Sequence, residues 1–249
     1  AWVVSQGAPA LPDLDFIHTS KDLNMYVYPT ELDYTDKRPL GNNWHRIDSS
    51  VRSTDAAFEL PQEITNRPAD SKLIYLSLGS LGSADVELMK RLVSILGKTK
   101  HKFIVSKGPQ ASEYELASNM FGAEFLPQIS IIPKVDLVIT HGGNNTTTES
   151  VHFGKPMIVL PLFWDQYDNA QRVHEKGHGI RLATYAFKDE ELTGAIDKLL
   201  NDSAIVELAI AVPTNKKEFE KCLRPLGLRA RWLENLALWL DSIATAVAL

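Results

Sequence analysis

The chain has 249 residues and a formal net charge of −5, with 44% hydrophobic and 23% charged residues. This composition is typical of a globular protein and excludes collagen, coiled coil and disorder as the main state. The acidic balance argues against nucleic acid as a partner, and a single cysteine, Cys222, excludes a disulfide framework and a cysteine-based zinc site.

Residues 1–66 are predicted to be loosely organised and to lead into a linker. Six of the 13 prolines lie before residue 70 and divide this stretch into short pieces. Two apolar runs, at 23–28 and 44–47, are predicted to be extended. Residues 66–70, Asn-Arg-Pro-Ala-Asp, are typical of a linker.

From residue 72 onward, short apolar runs alternate with segments of helical periodicity. Strands are predicted at 73–78, 103–105, 137–140, 157–160 and 179–182, and helices at 85–96, 144–153, 165–175 and 189–200. Strands that alternate with helices through short loops pair in parallel. The predicted fold class is therefore α/β, a Rossmann-like parallel sheet with helices on both faces.

The C-terminal residues 226–249 are predicted to form an amphipathic helix. Their apolar side chains recur at helical spacing and are interrupted by polar residues, which favours packing on the body of the protein over a membrane-surface anchor. Neither a signal peptide nor a transmembrane helix is predicted anywhere in the sequence.

The segment after the first predicted strand, Gly-Ser-Leu-Gly-Ser at 79–83, is the first candidate for ligand contact. In an open parallel sheet, ligands bind beyond the carboxyl ends of the strands. A glycine there lets a ligand approach the backbone, and Ser80 adds a hydroxyl donor. The alternative interpretation is an ordinary Gly-Ser turn.

A more specific segment follows the strand at 137–140, where residues 141–149 read His-Gly-Gly-Asn-Asn-Thr-Thr-Thr-Glu. Gly142 and Gly143 precede a helix start, where unpaired N–H groups and the helix dipole favour a diphosphate. His141 and Thr146 can add donors, and Glu149 can accept from a pair of sugar hydroxyls. A simple helix cap with a glycine turn would leave the histidine, the glycine pair and the glutamate unexplained.

Asp165 and Gln166 follow the strand at 157–160 and open the next helix. A carboxylate beside an amide offers acceptors and a donor, which suits a neutral polyol such as a hexose. The alternative is that Asp165 serves only as a helix cap.

Five segments, in this order and spacing, resemble the donor-binding signature of family 1 UDP-glycosyltransferases, in particular animal, arthropod-like members. They are residues 75–80 (Tyr-Leu-Ser-Leu-Gly-Ser), 125–128 (Phe-Leu-Pro-Gln), 141–149, 154–156 (Gly-Lys-Pro) and 165–166.

The resemblance implies the GT-B fold, in which two Rossmann-like domains face each other across a cleft. It implies inverting transfer of a hexosyl or glucuronosyl group from a UDP-sugar to a small lipophilic acceptor, with no metal and no cofactor. Residues 1–66 would then be the end of the N-terminal acceptor domain and the linker, 67–225 the UDP-sugar-binding domain and 226–249 a C-terminal helix. The compartment is left open: the membrane or lumen of the endoplasmic reticulum would suit a full-length protein, and membrane association would concern that full-length protein alone.

The resemblance also assigns donor-binding roles to individual residues. They are Phe125 for stacking on the base, Gln128 for the uridine end, Ser80, His141 and Thr146 for the diphosphate, Glu149 for the ribose, and Asp165 and Gln166 for the transferred sugar. Gly142, Gly143 and Asn145 are included among the donor-binding residues. Three positions depart from the family pattern. Phe125 replaces a larger tryptophan, Thr146 replaces serine while keeping the hydroxyl, and Ile-Ile-Pro at 131–133 stands where the family has His-Pro.

No catalytic residue is predicted in this chain. The family's base is a histidine near the start of the N-terminal domain, oriented by an aspartate, and residues 1–66 align after both. His18 and His45 are interpreted as surface or packing histidines, so the chain is expected to be a fragment or truncated protein that carries the donor half. The alternatives are a catalytically silent nucleotide-sugar-binding module and another GT-B enzyme such as an epimerase. Asp165 and Gln166, beside the 141–143 segment, favour the transferase over the epimerase.

Overall fold

The computed structural model describes residues 2–7, 10, 19–47, 49, 51 and 58–202. Within these ranges no helix has the length and apolar character needed to cross a membrane. His18, Cys222 and the helix predicted at 226–249 lie outside the described residues, so those interpretations stay predictions.

The region before residue 66 consists of short elements. They are helix α1 (Trp2–Ser5), strand β1 (Asn24–Tyr26), a 3-10 turn (Thr30–Leu32), strand β2 (Trp44–Arg46) and helix α2 (Gln62–Thr65). β1 and β2 fall inside the two predicted extended runs. They pair in parallel as a two-stranded sheet separate from the main one.

From residue 73 onward, strands and helices alternate as the sequence predicts. The strands are β3 (Leu73–Ser77), β4 (Lys102–Ser106), β5 (Met120–Ala123), β6 (Leu137–Thr140), β7 (Met157–Val159) and β8 (Gly179–Arg181). The helices are α3 (Gly79–Gly82), α4 (Val86–Leu96), α5 (Gln128–Ile131), α6 (Asn144–His152), α7 (Asp165–Glu175) and α8 (Asp189–Asn201). Every predicted strand and helix of this region is present, with ends that differ by at most two residues.

Three of these elements were not predicted, namely β5, α3 and α5. β5 reads Met-Phe-Gly-Ala and is paired on one side only, with β4. Such a short edge strand lacks both a continuous apolar run and an alternating pattern. Its Gly122 is needed because a Cβ there would lie 2.5 Å from the carbonyl oxygen of Val105.

The six strands β3 to β8 form one parallel sheet in the order β5-β4-β3-β6-β7-β8. The chain moves outward from β3 to β5, returns, and moves outward again from β6 to β8 on the other side. The strand order therefore reverses between β3 and β6, whose last residues Ser77 and Thr140 are register partners. Ligands of open α/β sheets bind at such a switch point, beyond the carboxyl ends of the strands.

Helices cover both faces of the sheet, as predicted. Alternate residues of a strand point to opposite faces, so Ile74 and Leu76 pack in one cluster with α4 and α8 while Leu73 and Tyr75 pack in another with α6 and α7. All four strand residues are at most 1% exposed. The fully apolar β3 is therefore a central strand buried from both sides.

The cap and the apolar spacing of α4 explain its boundaries. The Asp85 side chain accepts a hydrogen bond from the N–H of Leu88 (3.1 Å) and so satisfies one of the unpaired donors of the first turn. Leu88, Leu92 and Leu96 recur at four-residue spacing and are buried against the sheet.

The segment that follows β1 is packed on the outer face of α7. Arg172 is 2% exposed, and its Nε donates to the carbonyl oxygen of Leu32 (2.8 Å). Its guanidinium also pairs with the Asp36 carboxylate. The hydroxyl of Tyr34 donates to the carbonyl oxygen of Asp168 (2.8 Å). Residues 32–36, which precede the main sheet in sequence, are therefore held against α7, the helix that begins at Asp165.

Candidate functional site

Three loops meet at the carboxyl edge of the sheet beside the switch point. They join β3 to α3, β6 to α6 and β7 to α7. The candidate residues 141–143 lie in one of these loops, whereas 80 and 165–166 lie in the first turns of the helices that follow the other two. The geometry therefore brings to one edge the three segments that the sequence singled out separately.

The imidazole of His141 lies in a slot between two glycines. A Cβ on Gly79 would stand 2.9 Å from Cε1 of the ring, and a Cβ on Gly143 would stand 2.5 Å from Nε2. Real side chains essentially never come so close, so both positions exclude any other residue while the ring stays in place. Gly79 also has a φ of +68°, a conformation that favours glycine.

Burial keeps His141 neutral. Removal from water lowers the pKa of the imidazole to about 4, although the charge of Asp165 and a backbone hydrogen bond with Ser77 both raise it. Its Nδ1 lies 3.4 Å from the hydroxyl oxygen of Thr140. A neutral imidazole has a single N–H, so at neutral pH the uncharged ring can donate to a ligand only when that N–H is not given to the backbone of Ser77.

Gly142 shapes the start of α6. It has a φ of +85°, and a Cβ there would lie 2.6 Å from Cγ1 of Val159 on the neighbouring strand. Its N–H donates to the hydroxyl of Thr140 (3.3 Å). The chain thus turns tightly from β6 into α6, and the first N–H groups of the helix, which have no intrahelical acceptor, lie at this edge.

Gln128, Thr146 and Glu149 form one hydrogen-bonded cluster. The Gln128 amide nitrogen donates to the hydroxyl of Thr146 (3.1 Å) and to the carboxylate of Glu149. Thr146 and Glu149 are each 6% exposed, whereas Gln128 is half-buried at the start of α5. A carboxylate can accept several hydrogen bonds, and one of those that Glu149 accepts comes from the amide of Gln128.

Asp165 and Gln166 point to different environments although they are adjacent. Asp165 is exposed at the start of α7. Gln166 is 4% exposed, and its Oε1 accepts from the N–H groups of Leu162 (2.9 Å) and Phe163 (3.1 Å). The carboxylate therefore faces the edge of the sheet, while the carbonyl of the amide holds the preceding loop in place.

Sequence reasoning missed Asn169, which connects several parts of the site. Its Nδ2 donates to the carbonyl oxygen of Gly142 (2.8 Å) and to the carboxylate of Asp165 (3.1 Å). Its Oδ1 accepts from the hydroxyl of Tyr28 (2.7 Å). The signal that could have revealed it is a polar side chain four residues after Asp165, on the same helix face.

The remaining candidates are at the same edge but exposed to solvent. Ser80 lies on α3 and Asn145 on α6, and both are exposed. Phe125 is 65% exposed in the loop between β5 and α5. Ile132, at the position where the family pattern departs, is fully buried in the cluster under α6 and α7. Among the described residues, no group of three or more His, Cys, Asp or Glu side chains is placed to hold a metal ion.

The fold defines the chain as an α/β protein with a six-stranded parallel sheet, and several solved glycosyltransferases share this fold. A glycosyltransferase of kitacinnamycin superposes with a TM-score of 0.66 at 21% identity, over 80% of this chain and 51% of that one. CalG4, the calicheamicin glycosyltransferase, superposes with a TM-score of 0.63 at 18% identity, over 91% of this chain and 54% of that one. VinC, solved in complex with dTDP, reaches a TM-score of 0.51 at 20% identity, over 66% and 41% of the two chains.

The family model for UDP-glucoronosyl and UDP-glucosyl transferases matches residues 16–237, and the chain belongs to this family. Human UDP-glucuronosyltransferase 1A9 is 31% identical over 183 residues, which cover 70% of this chain and 34% of the relative. Rabbit UDP-glucuronosyltransferase 1A6 is 29% identical over 172 residues, or 68% of this chain and 32% of the relative. The chain thus spans about a third of the length of the curated relatives it matches.

Proposed function

We propose that this chain supplies the UDP-sugar-binding half of an inverting UDP-glycosyltransferase that acts on small lipophilic acceptors, with residues 67–225 as the donor domain. The observation that carries the proposal is the slot between Gly79 and Gly143, which fixes His141 beside the start of α6. A neutral donor next to unpaired backbone N–H groups suits a diphosphate. Relatives named as UDP-glucuronosyltransferases, and a structural neighbour solved with dTDP, support this ligand class.

The nucleoside would lie toward α5 in this arrangement. Glu149 would accept hydrogen bonds from the ribose hydroxyls, with Gln128 bonded to its carboxylate and holding it in place. The ring of Phe125, exposed in the preceding loop, would stack on the uracil. Ser80, Asn145 and Thr146 would complete the diphosphate contacts from α3 and α6.

The transferred sugar would lie toward α7. The exposed carboxylate of Asp165 would accept from the hexose hydroxyls, and Asn169 would orient that carboxylate through its 3.1 Å hydrogen bond. The oxygen of Gln166 is already bonded to the backbone of the loop, so the amide nitrogen is the group through which it would reach the sugar.

In the reaction, an acceptor hydroxyl oxygen attacks the anomeric carbon of the sugar while the bond from that carbon to the diphosphate oxygen breaks. The electron pair of the broken bond leaves with UDP. His141 and the first turn of α6 would stabilise the negative charge that develops on the departing phosphate, because preorganised donors in a site shielded from water stabilise such charge strongly. The acceptor proton passes to a general base, which we assign to no residue of this chain.

Titration calorimetry with UDP tests the proposal. The folded chain is expected to bind UDP, and His141→Ala should weaken binding by about 1.5–3 kcal/mol, the usual value for a hydrogen bond to a charged group. His178→Ala is the matched control. This buried histidine precedes β8 at the opposite edge of the sheet, and burial also lowers its pKa. A folded chain that binds no UDP at millimolar concentration would contradict the proposal.

A nucleotide-sugar-binding protein without transferase activity is the second candidate. It is favoured by the same donor contacts and by the fact that we place no base among them. The two candidate functions are separated by measuring transfer activity on a protein that joins this chain, as the donor domain, to an acceptor domain.

A further inference from the structure

Trp164 occupies a backbone conformation that suits glycine. Its φ is +53° and its ψ is −135°, and it is the one non-glycine residue with positive φ in the described part of the chain. It is the first central residue of a turn in which the N–H of Gln166 donates to the carbonyl oxygen of Phe163 (3.3 Å). Turns with these angles strongly favour glycine at that position.

The strain is not offset by burial of the indole. The side chain of Trp164 is 82% exposed. Its ring packs edge-on against Phe163 at a centroid distance of 6.0 Å, and Phe163 is itself 36% exposed. A large apolar ring in a strained turn therefore points away from the core.

The surrounding loop holds this conformation in place. The side-chain oxygen of Gln166 accepts from two consecutive N–H groups just before the turn. The carbonyl oxygen of Trp164 accepts from the N–H of Tyr167 in the first turn of α7 (3.3 Å). Strained residues persist where the surroundings over-determine them, and they cluster at ligand sites.

We propose that the indole of Trp164 is a stacking surface for the apolar C–H face of the hexosyl group of the nucleotide sugar. The proposal rests on the proposed function, which assigns the hexose to Asp165, the next residue in the chain. A hexose has hydroxyls around its edge and C–H groups on its faces. The carboxylate of Asp165 takes the hydroxyls, and a rigid aromatic ring next to it takes a face. Trp164 is thus a specificity residue for the sugar and not for UDP.

The test compares the affinity of UDP with that of UDP-glucose in three variants. Trp164→Gly removes the ring and the strain, Trp164→Phe keeps a smaller ring, and Tyr167→Ala removes another exposed ring, from the first turn of α7. Trp164→Gly is expected to raise the thermal unfolding midpoint by about 2–4 °C. It should leave UDP affinity unchanged and weaken UDP-glucose by about 5- to 10-fold. Trp164→Phe should retain most of that affinity, and Tyr167→Ala should retain all of it.

The proposal is overturned if Trp164→Gly raises the midpoint but leaves UDP-glucose affinity unchanged. Equal weakening of UDP and UDP-glucose overturns it as well, because the indole would then act through the loop or the nucleotide. If the wild-type chain does not bind UDP at all, the proposed function itself is wrong, and the stacking proposal fails together with it.

Discussion

The Nε2 atom of His141 lies 2.5 Å from the point at which a Cβ on Gly143 would stand. Gly79 flanks the imidazole on its other side, where a Cβ would lie 2.9 Å from Cε1. The imidazole is therefore positioned by the absence of two side chains together with its backbone hydrogen bond with Ser77. Such a slot fixes the direction of the N–H donor while leaving the ring neutral.

Gly143→Ala is expected to displace the imidazole without unfolding the protein. Gly143 has φ −60° and ψ 146°, angles that alanine adopts freely, so the cost arises from overpacking, about 1–3 kcal/mol. UDP affinity should fall by about 5- to 10-fold because the donor is misaligned.

The matched control is Gly194→Ala in α8, where a Cβ meets nothing within 4 Å. It should stabilise the protein by about 0.5–1 kcal/mol and leave UDP affinity unchanged. Calorimetry and urea unfolding measure both effects. Wild-type UDP affinity in Gly143→Ala would remove the slot from the binding site.

Stability is expected to decrease as the pH falls from 6.5 toward 4. The ordinary pKa of histidine, 6.5, applies to the unfolded chain, whereas burial lowers the pKa of His141 in the folded chain to about 4. Between these values the unfolded state binds the proton and the folded state does not, so acid favours unfolding.

Between pH 7 and pH 5, the His141→Asn variant should lose about 1–2 kcal/mol less stability than the wild type, measured by urea unfolding at both pH values. Burial also lowers the pKa of His101 and His178, so part of the pH dependence should remain in this variant. An unchanged pH dependence in His141→Asn would mean that the pKa of the ring is the same in the folded and unfolded chains.

The hydrogen bond between Gln128 and Glu149 can be separated from the role of the carboxylate by a swap. Glu149→Gln alone should cost about 1–3 kcal/mol of stability, because the charged acceptor of the Gln128 amide becomes a neutral one and a new NH2 group enters a buried position. Combining it with Gln128→Glu restores an amide–carboxylate pair and should recover most of that stability. UDP affinity should fall in Glu149→Gln and should remain low in the double variant, because the carboxylate has then moved from α6 to α5. Recovery of UDP affinity together with stability would show that Glu149 acts only through Gln128.

Asp165→Asn is expected to weaken UDP-sugar and spare UDP. The lost hydrogen bond to a hexose hydroxyl should cost about 1–3 kcal/mol. Gln166→Ala should behave differently, because its Oε1 holds the loop at Leu162 and Phe163. It should reduce stability as well as UDP-sugar affinity. If Asp165→Asn weakens both ligands equally, the carboxylate serves the helix start and not the sugar.

The purified chain alone is expected to form no glucoside from UDP-glucose and a phenol at an ordinary enzymatic rate. We assign the general base to no residue of this chain, and loss of a positioned base typically costs about 10²–10⁴-fold. Product formation is followed chromatographically, with His141→Ala as the comparison. Steady turnover by the purified wild-type chain at an ordinary enzymatic rate would place the base within the chain, and its loss in His141→Ala would show that this turnover uses the proposed donor site.

The sequence by itself determined the order of strands and helices from residue 73 to residue 201, except for the short elements β5, α3 and α5. Strands of a parallel sheet are buried on both faces and read as continuous apolar runs, and the helices follow a 3.6-residue period. Both signals are local, so β3, α4 and α7 are predicted almost to the residue. The topology rule then places the loops after β3, β6 and β7 at one edge, which is why the candidate residues could be named without coordinates.

Only the tertiary structure decided how those candidates are used. The inward bonds of Gln166, the connecting role of Asn169 and the slot around His141 depend on which backbone groups meet in space. Arg172 binds the carbonyl oxygen of Leu32, 140 positions away in sequence. No local periodicity encodes a contact between such distant residues, because it arises only after the chain has been folded around the sheet. The strained turn at Trp164 was hidden for the same reason, since its angles are imposed by hydrogen bonds that the folded loop supplies.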